Sequence, residues 1–195
     1  MSIRRAFCKE FAIERFIVIS GCSGGGKSSL LLELAKRGYS IVEEPGRRIV
    51  RQELDGDGSC LPWNNMTAFA RNALELALDD HRAALDQNGV VFFDRGIVDA
   101  AAALANASSD SRAANVLEFE YYNRNVFLTP PWLEIYVQDS ERRHSFDDAV
   151  IEYERLLEVY FTCGYTVHIL PKASVVDRAN FVLNNLKKLE IFFNI

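Results

Sequence analysis

Residues 21 to 29 read "GCSGGGKSS", with Gly21, Gly26, Lys27 and Ser28 at the fixed positions of a G-x-x-x-x-G-K-S pattern. That spacing suits the holding of a phosphate chain. Glycines at 21, 24, 25 and 26 let the backbone wrap an anion with its N–H groups turned inward. Lys27 is placed to reach the β- and γ-phosphates of a nucleotide, and the Ser28 hydroxyl to meet Mg²⁺. Ser23, Gly24, Gly25 and Ser29 fall within the same nucleotide-binding set. A held phosphate leaves three outcomes open: hydrolysis that drives motion, transfer of the terminal phosphoryl group to an acceptor, or sensing.

Two carboxylates stand where they could decide between these. Asp94 closes the apolar run "VVFFD", the place of a carboxylate that holds Mg²⁺ directly or through water. Glu44 closes "SIVEE", where a carboxylate could take the proton of an acceptor hydroxyl or orient the acceptor; as a helix-start carboxylate it could equally be structural. Glu43, one residue earlier, should point to the other side. Arg95 follows Asp94 directly and can lean over the site. Arg47 and Arg48 follow Glu44, while Arg142 and Arg143 lie in "QDSERRHSF", a connection over about residues 139–146 that could close as a lid. All of these arginines could also be solvated surface charges, and Arg51, Arg71 and Arg178 are read as such. Asp99, one helical turn past Arg95, could orient that arginine or cap the helix.

The elements that must position these groups alternate regularly. "RFIVIS" reads as a buried strand before the glycine loop, and "KSSLLLELAKRG" as an amphipathic helix stopped by Gly38. "YSIVEE" is a second short strand, "PGRRIVRQEL" a helix, and "DGDGSCLP" a turn cluster at 55–62. A long helix over 64–88, the strand "VVFFD" at 90–94, and the helices "IVDAAAALANA" and "SRAANVLEFEYYNRN" follow. "WLEIYVQ" is expected as the fourth strand, residues 145–163 as a helix, "GYTVHILP" as the fifth strand and "SVVDRANFVLNNLKKL" as the last helix. Strands alternating with helices imply a parallel sheet covered on both faces, an α/β/α sandwich. The aromatics Phe69, Tyr121, Tyr122, Trp132 and Phe146 fit core positions, while Trp63 could line a substrate pocket.

Bulk properties exclude several classes. A chain of 195 residues with 49% hydrophobic content suits one domain spanning 1–195 with a sizeable core. The net charge of −5 argues against a nucleic-acid binder, which would carry a basic stripe. No apolar stretch approaches a membrane span, and "AFCKEFAIERF" carries charges where a signal peptide needs an apolar region, so the cytoplasm is the expected compartment. Cys8, Cys22, Cys60 and Cys163 form no C-x-x-C pair, and His81, His144 and His168 have no metal spacing. Cys22, inside the phosphate loop, reads as a neutral filler, since a thiolate would oppose phosphate charge.

"GCSGGGKSSLLLELAKRG", "EEPGRR", "VVFFDRGIVDA", "PPWLEIYVQDSERRHSF" and "GYTVHILPKASVVDR" together resemble a bacterial group of P-loop ATPases under the AAA label, related to the kinase domain of ribosylnicotinamide kinases. The likeness runs from the first strand to the final helix. "EPG" and "DRG" are also similar to the E-P and D-R motifs of thymidylate and deoxynucleoside kinases. The resemblance implies a five-stranded parallel sheet in the order 2-3-1-4-5, an acceptor role for Glu44, phosphate binding by Arg95, and a lid carrying Arg142 and Arg143. It also implies that Pro171 and Lys172 border the nucleotide base. AAA+ motors end the corresponding strand in Asp-Glu, the glutamate activating water; here Asp94 is followed by Arg95. The expectation is therefore a small-molecule phosphotransferase using ATP (or GTP) and Mg²⁺ on a nucleoside-like acceptor. The alternatives are a nucleotide sensor or slow NTPase acting through a protein partner, and a homo-oligomeric motor.

Overall fold

The computed structural model describes residues 13–137 and 145–189. Strand β1 (Phe16–Gly21) is followed by helix α1 (Lys27–Lys36), β2 (Ser40–Val42), α2 (Pro45–Leu54), α3 (Met66–Ala84) and β3 (Val91–Asp94). Then come α4 (Ile97–Ala107), α5 (Ser111–Leu117), β4 (Asn125–Thr129), α6 (Phe146–Thr162), β5 (Thr166–Ile169) and α7 (Val175–Lys188). The five strands form one sheet in the order β2-β3-β1-β4-β5, every pairing parallel.

All six residues of β1 are buried, as expected of a strand covered on both faces. Their alternation sorts the core into two halves. Phe16 and Val18 of β1, Val91 and Phe93 of β3, and Val126 and Leu128 of β4 pack with α2 to α6, against Ile49, Leu74, Ile97, Leu104 and Tyr160. Ile17 and Ile19, Phe92 and Phe127 point the other way and pack against Leu30 and Leu34 of α1 and Val182 and Leu186 of α7. A shift of one residue in any of these strands would exchange its two faces, so the register is strongly determined. It sets Ile19 beside Asp94 and Gly21 beside Thr129. The carboxyl ends of β1, β3 and β4 thus meet on one edge of the sheet.

The fourth strand differs from the sequence expectation. It is "NVFLT", residues 125–129, while "WLEIYV" forms a short 3-10 turn at Leu133–Ile135 with Leu133 and Val137 exposed. The central place beside β1 requires a segment apolar on both faces, and Val126, Phe127 and Leu128 supply it. The Pro130-Pro131 pair then ends the strand. Helix α5 accordingly stops at Leu117 rather than running into "YYNRN".

Candidate active site

Gly21, Gly24 and Gly26 take φ of 105°, 78° and 79°, so the loop bends through left-handed glycines. A Cβ on Gly21 would fall against the Thr129 carbonyl oxygen and 2.5 Å from its nitrogen; on Gly25 it would lie 2.7 Å from the Thr129 hydroxyl. The end of β4 is therefore the wall on which the loop rests, and Cys22 N–H donates to the Thr129 carbonyl at 2.9 Å.

Helix α1 starts on Gly26, with no side-chain cap and no acidic residue in its first turn. Its first N–H groups and its positive dipole end thus face the loop unclaimed by side chains, an anion site by construction. Lys27 is buried at 6% exposure and donates from Nζ to the carbonyls of Cys22 (3.0 Å) and Gly21 (3.5 Å). Burial lowers its pKa first, with the charge of Arg95 acting in the same direction. Cys22 is fully buried, and burial raises its thiol pKa, so it is a neutral group in the loop.

Asp94 ends β3 at 5% exposure. Its Oδ2 accepts from the Ser28 hydroxyl at 3.3 Å, and its buried Oδ1 has no hydrogen-bond partner. Burial, then the neighbouring Glu44, push its pKa up to about 6. An orphaned carboxylate oxygen beside a serine hydroxyl is a hard-oxygen pair and fits Mg²⁺. Among the described residues no group of three or more His, Cys, Asp or Glu could cage a metal, so a cation here would be shared with phosphate oxygens.

Arg95 is the one non-glycine residue with positive φ (61°) among the described residues, a conformation that costs free energy and gathers at functional sites. Three carboxylates from three elements hold it: Glu44 on Nε at 3.3 Å, Glu152 of α6 on Nη2 at 3.1 Å, and Asp99 of α4 on Nη1 at 3.4 Å. Burial opposes its charge, but Glu152, Glu44 and Asp99 outweigh burial and keep the guanidinium ionised. Asp99 both orients Arg95 and caps α4: its Oδ2 accepts from Gly96 N–H at 3.0 Å and from the Tyr160 hydroxyl at 2.6 Å, and its Oδ1 accepts from Ser20.

Glu44 also meets Arg47 (3.4 Å), and Glu43 pairs with Arg51 at 2.9 Å. These residues line a cleft of about 460 Å³ together with Ser28 and Asp94. Leu31, Leu32 and Ala35 of α1 and Ile41 of β2 form its apolar wall. Arg48 instead grips Asp80 at 2.7 Å, tying α2 to α3. Pro171 and Lys172 are exposed just past β5. Arg142 and Arg143 lie outside the described residues, as does the expected lid through His144; Ser145 and Phe146 already open α6, with Ser145 as its cap.

The structure thus brings Gly21 to Ser29, Glu44, Asp94 and Arg95 to one edge of the sheet. Three residues there were missed from the sequence. Thr129 escaped because β4 was placed too late. Glu152 lies on a helix with no motif to flag it. Arg178 of α7, read as a surface charge, is buried and donates from Nη1 to the carbonyls of Gly25 and Gly26, both at 3.2 Å. It had a signal: residues 178, 182 and 186 are one apolar helix stripe, and an arginine in such a stripe needs a reason.

A glycine loop joining the first strand and helix of a 2-3-1-4-5 parallel sheet, with an aspartate ending the neighbouring strand, defines a P-loop domain with the fold of small-molecule kinases. The chain belongs to the AAA domain family AAA_28, whose model matches residues 16–178. Among solved structures it is similar to deoxyadenosine kinase from M. mycoides with bound dATP, at 18% identity and a TM-score of 0.61, over 89% of this chain and 99% of that one. It is also similar to shikimate kinase from Aquifex aeolicus (14% identity, TM-score 0.56, 88% and 96% covered). Thymidylate kinase from Ehrlichia chaffeensis is a third such structure (19%, 0.53, 88% and 97%). At these identities the likeness is one of fold. No curated protein matches the sequence. No helix among the described residues is long and apolar enough to cross a membrane.

Proposed function

We propose that this chain is a small-molecule phosphotransferase that binds ATP or GTP with Mg²⁺ and passes the terminal phosphoryl group to a nucleoside-like acceptor. The observation that carries this reading is the cleft beside the phosphate loop: it opens directly onto Ser28, Asp94 and Glu44, giving a second molecule access to the end of the phosphate chain. The residue after Asp94 also supports transfer over motor-type hydrolysis. It is Arg95, with its side chain bound to Glu44 and Glu152, where a motor would carry a water-activating glutamate.

In this reading the loop N–H groups from Gly21 to Ser29 and the start of α1 bind the β- and γ-phosphates. Lys27 moves its ammonium from the loop carbonyls to phosphate oxygens. Ser28 and Asp94 hold Mg²⁺, which when bound neutralises phosphate charge and aligns the terminal group. Glu44 accepts the acceptor's proton or fixes its hydroxyl, held in place by Arg95 and Arg47. Arg95 adds positive charge beside the transferring group, and Arg142 and Arg143 supply further charge from the lid. Pro171 and Lys172 border the base of the donor.

The reading is tested by measuring ADP release from Mg·ATP and Mg·GTP against a panel of nucleosides, nucleoside monophosphates and other hydroxylated metabolites. One acceptor should stimulate turnover strongly, and Glu44→Gln should lower kcat by roughly 10²–10⁴-fold, the usual worth of a proton acceptor. Tight nucleotide binding with no stimulating acceptor and a nucleotide-dependent protein partner would replace this reading with the sensor.

A further inference from the structure

Three glycines in a row, Gly24 to Gly26, create a difficulty for a binding loop. Glycine turns its peptide planes at little cost, so a run of three has several ways to point its N–H groups, and only some of them face an anion. Backbone bonds fix part of the choice, Gly25 N–H donating to the Cys22 carbonyl at 3.0 Å and Leu30 N–H to the Gly26 carbonyl at 3.3 Å, and a side chain from outside the loop adds to them. Arg178 comes to the loop from a helix 152 residues along the chain and donates from Nη1 to the carbonyl oxygens of Gly25 and Gly26 at 3.2 Å each.

Each of these carbonyls belongs to a planar trans peptide, in which C=O and N–H point in opposite directions. The peptide carrying the Gly25 oxygen also carries the N–H of Gly26, and the one carrying the Gly26 oxygen carries the N–H of Lys27. We propose that Arg178 is the positioning residue of the phosphate loop: holding the Gly25 and Gly26 carbonyls on the outside of the bend turns the Gly26 and Lys27 N–H groups inward, toward the phosphates of a nucleotide.

The setting of the guanidinium supports a fixed role. It lies over the Trp132 ring at 5.5 Å, which holds its plane. Its residue is 4% exposed, and its Nε is buried with no hydrogen-bond partner. A buried charge with an unsatisfied donor costs stability, so its position in the apolar stripe of α7 is not explained by packing. The contact is close: a Cβ on Gly26 would lie 2.7 Å from Arg178 Nη1. In this role Arg178 acts through the backbone carbonyls of the loop.

This inference rests on reading the loop as a nucleotide cradle, and the experiment separates the two. Binding of Mg·ATP and Mg·ADP is measured by calorimetry on the full chain, well below each variant's unfolding midpoint, for the unaltered protein, Lys27→Ala, Arg178→Met and Arg178→Lys. The expected result is loss of binding in Lys27→Ala, affinity weakened about tenfold or more in Arg178→Met, and an intermediate value in Arg178→Lys. An Arg178→Met protein that is folded by circular dichroism, even with a lowered midpoint, but binds with unaltered affinity overturns the proposal and leaves a packing role. Should Arg178→Met not fold, Arg178→Lys decides in the same way, because an ammonium cannot reproduce the fixed guanidinium plane. Native affinity in Lys27→Ala, or no binding by the unaltered protein, refutes the cradle and the proposal with it.

Discussion

Replacing Asp94 by asparagine should make the protein more stable and, under the proposed function, weaken its affinity for magnesium. In the folded chain this carboxyl is pushed up to about 6, against 3.8 for a free aspartate, so roughly two pH units separate the two states. At about 1.4 kcal/mol per unit, ionised Asp94 costs the fold roughly 3 kcal/mol at neutral pH. The sign follows from proton binding. Between pH 3.8 and about 6 the folded state holds the proton more tightly, so stability falls as pH rises through that window and levels off above it. Asparagine carries no charge at any of these pH values. It leaves a buried amide incompletely satisfied at a cost of about 1 kcal/mol, so the net gain above pH 6 is about 1–3 kcal/mol, or roughly 2–10 °C in Tm. The assay is urea unfolding of both proteins from pH 4.5 to 8 in EDTA, followed by calorimetry with Mg·ATP at pH 7.5. The advantage of Asp94→Asn should grow from pH 4.5 to about 6 and then stay constant, while its magnesium-dependent gain in ATP affinity disappears. An advantage that does not change with pH, or a loss of stability at pH 7.5, would refute the reasoning that burial sets the state of this carboxylate.

Gly21→Ala should destabilise the protein by several kcal/mol, because the new methyl would collide with the backbone of Thr129 at φ 105° and push β4 from β1; a Tm within 2 °C of the unaltered protein would contradict this. Asp99→Ala should cost about 3 kcal/mol in urea unfolding, since it strips partners from Ser20, Arg95, Gly96 and Tyr160 at once. Tyr160→Phe, which removes one of those bonds, should cost only about 1 kcal/mol.

Much of the sheet was legible because its strands are short apolar runs followed by chemistry: "IVIS" before the loop, "SIV" before Glu44 and "VFF" before Asp94. The phosphate loop was legible for the same reason, its glycines being demanded by conformation. The fourth strand lies earlier than expected because "WLEIYVQ" after the stiff "TPP" is also rich in apolar and aromatic residues, but Glu134 interrupts it, whereas the position beside β1 needs a run apolar on both faces, which "VFL" supplies. The supports of the site were harder to see. Glu152 and Arg178 come from helices far along the chain from the groups they hold, Glu152 from Arg95, and Arg178, more than 150 residues away, from the loop carbonyls. Only the fold brings them together, and only the misplaced polarity of Arg178 on its helix stripe left a local trace.

Helix α1 has a consequence for the size of what the cleft can take. Ser28, Leu32 and Ala35 are spaced so that they lie along one stripe of the helix, and all three line the cleft. At 1.5 Å per residue, that stripe runs about 10 Å outward from the serine. Under the proposed function the same rigid rod would fix one end of the donor phosphates and gauge the length of the molecule beside them. Under that reading a compound of one sugar and one ring would span the wall, and a shorter one would leave Leu32 and Ala35 in water. Exchanging these two residues offers a route to changing which molecule is accepted while the phosphate grip at the head of the helix stays as it is.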